Sequence, residues 1–225
     1  MKNLPNNIPL FPLTGAILMP KGHLPLSIFE PRYLEMIKIA NSGNKMIGMI
    51  QPQRTDFSAK YKNKDVSGGP NQDPYLYKFG CAGLITGIEK NDDGRYSIVL
   101  TGVKRFEIVE ELLAERTFRK ARVSYLNYYN DGDQRFDEKS RLRKKFMEKI
   151  SQYFNHIKVN VDMQYFDNLG DEELINSLAM VCPFDSAEKQ LIIEVIPLEE
   201  RTQIMIKIMD FNLNKYAMVS ENKVH

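Results

Sequence analysis

Residues 8–37, IPLFPLTGAILMPKGHLPLSIFEPRYLEMI, decide the fold. Their apolar residues come in short runs, at 8–13, 17–19 and 24–29, each broken by proline or glycine. Runs of that length between breakers predict strands rather than helices. Pro12, Pro20 and Pro25 lack an N–H and cannot sit inside a paired ladder, so they belong at strand starts, edges or bends of a small, strongly curved sheet. The period then changes. Pro31 suits a first helical position, and Tyr33, Leu34, Ile37 and Ala40 recur at the spacing of a half-buried helix ending near Asn41, Ser42 and Gly43.

A second stretch extends the same pattern. Residues 79–112, FGCAGLITGIEKNDDGRYSIVLTGVKRFEIVEEL, read as a hairpin in which 84–89 and 96–103 pair across Asn91, Asp92, Asp93 and Gly94. Asp93-Gly94 is a strong turn signal because glycine takes the positive φ that the turn needs. Residues 47–50 predict a short buried strand, and 106–109 with 119–125 continue the sheet.

Beyond residue 125 the periodicity is helical. Leu142, Phe146, Ile150 and Phe154 form one stripe of a helix expected to begin near Asp137, with Arg141, Lys144, Lys145 and Lys149 on its other faces. Asp171 opens a helix through Leu174, Ile175, Leu178 and Ala179, and Pro183 breaks it. Asp185 with Glu188 has the form of a capping box before Leu191, Ile192 and Val195. Pro197 opens the last helix, with Leu198, Met205, Ile208 and Met209 on its apolar side. The expected class is α+β: a β-rich subdomain with one helix over 1–125, then a bundle of about four helices over 126–225.

The bulk properties suit an ordinary globular chain: 225 residues, 43% hydrophobic, 27% charged, net charge +2. That balance is too small to imply a general nucleic-acid or anionic-membrane partner. No apolar run approaches the roughly 20 residues of a membrane helix, and the first ten residues carry prolines and asparagines where a signal peptide has an apolar core. A cytoplasmic location is expected. Cys81 and Cys182 lie far apart without a CxxC pair, and His23, His156 and His225 are scattered, so no metal or cofactor site is spelled out. The two thiols are expected to be buried small hydrophobes.

The residues Phe11-Pro12-Leu13, Met19-Pro20, Leu24-Pro25-Leu26, Phe29-Glu30-Pro31-Arg32-Tyr33, Gly80, Gly83, Asp93-Gly94-Arg95, Gly102 and Arg105-Phe106, in that spacing, carry a family resemblance. The chain resembles the N-terminal substrate-binding domain of Lon-type ATP-dependent proteases, and more closely the short free-standing proteins made of that domain. The resemblance is good over 8–123 and looser beyond. It implies a PUA-like curved sheet or pseudo-barrel, and a non-catalytic module that binds exposed apolar segments of unfolded polypeptides as an adaptor or chaperone-like factor, beside a protease or chaperone. A monomer or weak dimer is expected.

The chemistry in the sequence agrees. There is no GxxxxGK[ST] loop to cradle ATP phosphates, no GxSxG elbow and no segment long enough for a Lon protease domain, so no catalytic residue is assigned. Glu110-Glu111 follows a strand, and Asp171-Glu172-Glu173 opens a helix, where its dipole favours negative charge. The basic run 141–145 is diluted by Glu138 and Glu148. Some PUA-like folds bind RNA, which makes an RNA-binding module the rival reading, but exposed aromatic platforms in a positive groove are not evident. An unrecognised small-molecule enzyme is the third.

The peptide site implied by the preferred reading is an apolar groove lined by Phe11, Leu13, Met19, Leu26, Phe29, Tyr33 and Met36, with sheet-edge hydrogen bonds holding an extended peptide. The competing reading makes the same residues core. Charged residues inside apolar motifs suggest a partly buried ion pair of Glu30 with Arg32 or Arg105. The polar stretch 53–78, ending in Tyr75 and Tyr77, reads either as a tolerated insertion or as a flap over a bound peptide.

Overall fold

The computed structural model describes residues 4–53, 74–113 and 116–221. Most of the 53–78 stretch therefore lies outside the described residues. Six strands, β1 (Asn7–Pro12), β2 (His23–Ile28), β3 (Met46–Pro52), β4 (Leu76–Lys90), β5 (Tyr96–Leu112) and β6 (Lys120–Ser124), are joined by helix α1 (Pro31–Ser42) between β2 and β3. A short 3₁₀ turn, Leu126–Tyr128, leads to α2 (Leu142–His156), α3 (Gln164–Asp167), α4 (Asp171–Val181), α5 (Ser186–Glu194) and α6 (Leu198–Glu221).

The sheet runs β2-β5-β4-β3-β1-β6 and closes because β6 also pairs with β5. Among the described strands only β1 and β3 are parallel, consistent with the crossover through α1; the other pairs are antiparallel. The β4–β5 hairpin turns at Gly94, φ +83°, with the Gly94 N–H donating to the Asn91 carbonyl. β5 is one 17-residue strand where the sequence suggested two, 96–103 and 106–109. Its length lets one end pair with β2 and the other with β6.

Residues 17–19 are a correction: they form no strand. Ile17, Leu18 and Met19 are buried in an irregular segment, and the Met19 carbonyl lies 2.0 Å from where a Cβ on Gly102 would stand. Only glycine permits that approach. A second correction is the start of α2, at Leu142 rather than Asp137. The Asp137 carboxylate accepts the Lys139 N–H and its carbonyl accepts the Ser140 N–H, which makes a separate turn. The Asp185–Glu188 capping box is present in full.

One apolar core joins both halves. Met19, Ile28, Met36 and Leu100 belong to the same buried cluster as Phe146, Ile150, Leu178 and Met205. A smaller cluster, with Ile8, Leu10, Phe106, Ala121 and Val123, fills the closure of the sheet.

Candidate functional site

Among the described residues β2 is paired on one side only, antiparallel to β5, with His23 opposite Thr101, Pro25 opposite Val99 and Ser27 opposite Ser97. Just before the strand, the Gly102 N–H donates to the Gly22 carbonyl. Pairs alternate between hydrogen-bonded and not, so the bonds to β5 continue at Leu24, Leu26 and Ile28, while the backbone groups of His23, Pro25 and Ser27 face outward. Two observations agree with that phase. Pro25, with no N–H to give, sits where none is needed, and the His23 Nδ1 lies 2.9 Å from Thr101 Oγ1, as suits a close non-bonded pair.

The side chains alternate in step. Those of His23, Pro25 and Ser27 are exposed, whereas Leu24 and Leu26 point toward the core and are half-buried. The strand ends on the buried Ile28, and Phe29 just beyond it is 61% exposed, with the Arg95 guanidinium 5.8 Å from its ring centre. An open strand edge with an apolar flank is thus available beside an exposed aromatic ring.

The expected groove is only partly there. Phe11, Met19, Tyr33 and Met36 are buried in the core, with the Phe11 and Tyr33 rings edge-on at 4.6 Å. Burying such a side chain contributes about 1.5–3 kcal/mol, so the closed sheet takes them inside rather than leaving them as lining. Leu13 and Leu26 are half-buried, and of the seven Phe29 alone is fully at the surface. Leu24, not among the seven, belongs to this rim.

Of the two pairings expected for Glu30, the structure forms the one with Arg32, at 3.0 Å and with side chains 38% and 43% exposed, and not the one with Arg105. Arg105 lies elsewhere, fully buried, and pairs with Asp131 at 2.7 Å. The Arg105 guanidinium further donates to the carbonyls of Ile193, Val195 and Ile196 and sits 4.3 Å from the Tyr128 ring centre. Arg201 donates to the last two of those carbonyls and to Asn176 Oδ1, and Asn176 donates to the Pro20 carbonyl. Glu172 accepts from the Gly132 and Gln134 N–H groups. This network ties β5, α4 and the α5–α6 connection together. Burial first, and then the Arg105 charge, push the Arg201 guanidinium down to about 9, still charged at neutral pH.

Elsewhere the described residues offer little chemistry. An open cleft of about 660 Å³ between residues 129–135 and the start of α6 touches none of the expected site residues. No group of three or more His, Cys, Asp or Glu gathers as metal ligands among the described residues. Both cysteines are buried and free; burial pushes the Cys182 thiol up to about 12, and raises that of Cys81 as well. Thiols so shifted are poor nucleophiles.

The family model of the ATP-dependent protease La (LON) substrate-binding domain matches residues 7–210. The chain belongs to this family. Among LON relatives, it is 23% identical over 222 residues to a Lon protease of Flavobacterium johnsoniae, covering 98% of this chain and 26% of that protein. It is 24% identical over 230 residues to the peroxisomal Lon protease homolog 2 of Danio rerio, covering 98% of this chain and 27% of the relative. The chain therefore spans about a quarter of the length of the curated relatives it matches.

Solved LON domains share the fold. The N-terminal domain of a Mycobacterium avium complex Lon protease superposes with TM-score 0.66 at 14% identity, covering 91% of this chain and 98% of that one. A Lon N-terminal domain protein from Xanthomonas campestris gives 0.60 at 16% identity, covering 89% and 97%. Among the described residues, no helix of this LON domain is long and apolar enough to cross a membrane.

Sequence reasoning missed Asp131, Glu172, Asn176 and Arg201 as buried polar groups. Asp131 stands in Asn-Asp-Gly-Asp, which reads as an exposed turn, and Arg201 follows two glutamates. The one available signal for the β2 edge was Pro25.

Proposed function

We propose that this chain is a non-catalytic module that binds exposed apolar segments of other polypeptides, as an adaptor or chaperone-like factor that hands them to a protease or chaperone. The match to the LON substrate-binding family over residues 7–210 carries this reading. Leu24, Leu26 and Phe29 supply an apolar rim where such a segment can dock, and they replace the wider groove suggested by the sequence. We read the closed sheet as PUA-like, the two subdomains as 1–125 and 126–225 around a shared core, and the chain as a cytoplasmic monomer or weak dimer.

The test is binding of a permanently unfolded, apolar-rich polypeptide, followed by fluorescence anisotropy, with single-stranded RNA as the competing probe. Phe29→Ser is expected to weaken polypeptide binding several-fold. Because Phe29 is exposed, the variant should keep its melting temperature, a surface substitution being worth about 0.5 kcal/mol at most. Binding of RNA in preference to the polypeptide overturns the reading.

A further inference from the structure

We propose that the open edge of β2 captures its target as an added antiparallel strand, and so selects extended segments whose apolar residues fall at every second position. This rests on the polypeptide-binding reading above.

The edge has a defined complement. It presents the N–H groups of His23 and Ser27 and the carbonyls of His23, Pro25 and Ser27, none with a partner among the described residues. An antiparallel strand meets this row with the backbone of alternate residues. A helix keeps its own backbone bonds and has nothing to offer it. Side chains set the phase. Target residues opposite Leu24 and Leu26 occupy non-hydrogen-bonded pairs, where facing side chains approach closest and share the core-side face of the sheet. Apolar residues there cover the half-exposed leucines, with Phe29 at the end of the strand as a further contact. A one-residue slip turns every apolar side chain to the opposite face, so the phase is specified even where the sequence is not.

Pro25 shapes what the edge accepts. Two copies of β2 paired about Pro25 would set proline against proline and lose a donor from each strand, which disfavours self-association. A foreign strand meets a single missing donor, and its unmatched carbonyl at that position can stay hydrated.

The experiment uses a peptide of alternating leucine and serine flanked by lysines, its affinity for the full chain measured by anisotropy. Two further versions are N-methylated at the serines or at the leucines. In the proposed phase the serine N–H groups point at β2 and the leucine N–H groups point away. Methylation at the serines is expected to weaken binding about tenfold or more, and methylation at the leucines by less than about twofold. Ser27→Pro, checked for an unchanged melting temperature, should reproduce the loss from the protein side; if it unfolds, the methylated pair decides alone. Equal binding of all three peptides, or equally tight binding of the same residues reordered as an amphipathic helix, overturns strand addition and leaves the broader function standing. No binding of any peptide overturns both.

Discussion

Two arginines of the family motifs, Arg32 and Arg105, end in opposite surroundings. Arg105 lies inside the molecule, its guanidinium paired with Asp131 and capped by the carbonyls that join α5 to α6. Arg32 lies at the start of α1 with its side chain half-exposed, paired with Glu30 and with its guanidinium 4.6 Å from the Tyr33 ring centre. The same chemical group is a structural tie in one place and a surface charge in the other. What separates them is desolvation: a charge without water depends on every partner it has, whereas a hydrated one can lose its partner to solvent at little cost.

That contrast can be broken by mutation. Arg105→Ala leaves Asp131 buried without its counter-charge and is expected to lower stability by about 3–5 kcal/mol in urea denaturation. A loss below about 1 kcal/mol would mean that water reaches Asp131, and the distinction between the two regions would fall. Glu30→Ala removes one partner of a half-exposed arginine that also contacts the Tyr33 ring, and should cost about 0–1 kcal/mol by the same measurement. A larger loss would make the Glu30–Arg32 pair structural too and remove the reason to treat that surface as available for binding.

The smallest effect sharpens the exposed end of the comparison. The Thr117 hydroxyl donates to the Glu35 carboxylate at 2.5 Å and, more than the neighbouring Arg116, holds its pKa below the ordinary 4.5. A carboxyl lowered by folding stabilises the native state above its unfolded value and loses that contribution as pH falls through its folded value. Nuclear magnetic resonance titration should find Glu35 below 4.5, and Thr117→Val should return it toward that value. An unchanged titration in the variant would assign the shift to Arg116 instead.

The strands around Pro12 and Pro25, the Asp93-Gly94 turn, α1 opening at Pro31 and the capping box of α5 were all legible from sequence, because each depends on neighbours within a few residues. Residues 17–19 misled because a short apolar run serves equally as a strand or as a buried irregular segment. Only the presence of an adjacent strand decides between them. Of the expected groove, Phe29 and the half-buried Leu26 and Leu13 stayed accessible, while Phe11, Met19, Tyr33 and Met36 went inside. Period and composition mark all of these alike as apolar.

The family, most of the strands and helices, and the turns between them follow from the sequence, since the proline, glycine and helix-cap positions that restrict the backbone act locally. Folding decided which apolar side chains remain at the surface, that one edge of β2 has no strand partner among the described residues, and that Arg105 finds Asp131 twenty-six positions away. Burial and ion pairing are properties of the closed sheet and the helices packed on it, and they come into being only when distant segments exclude water together.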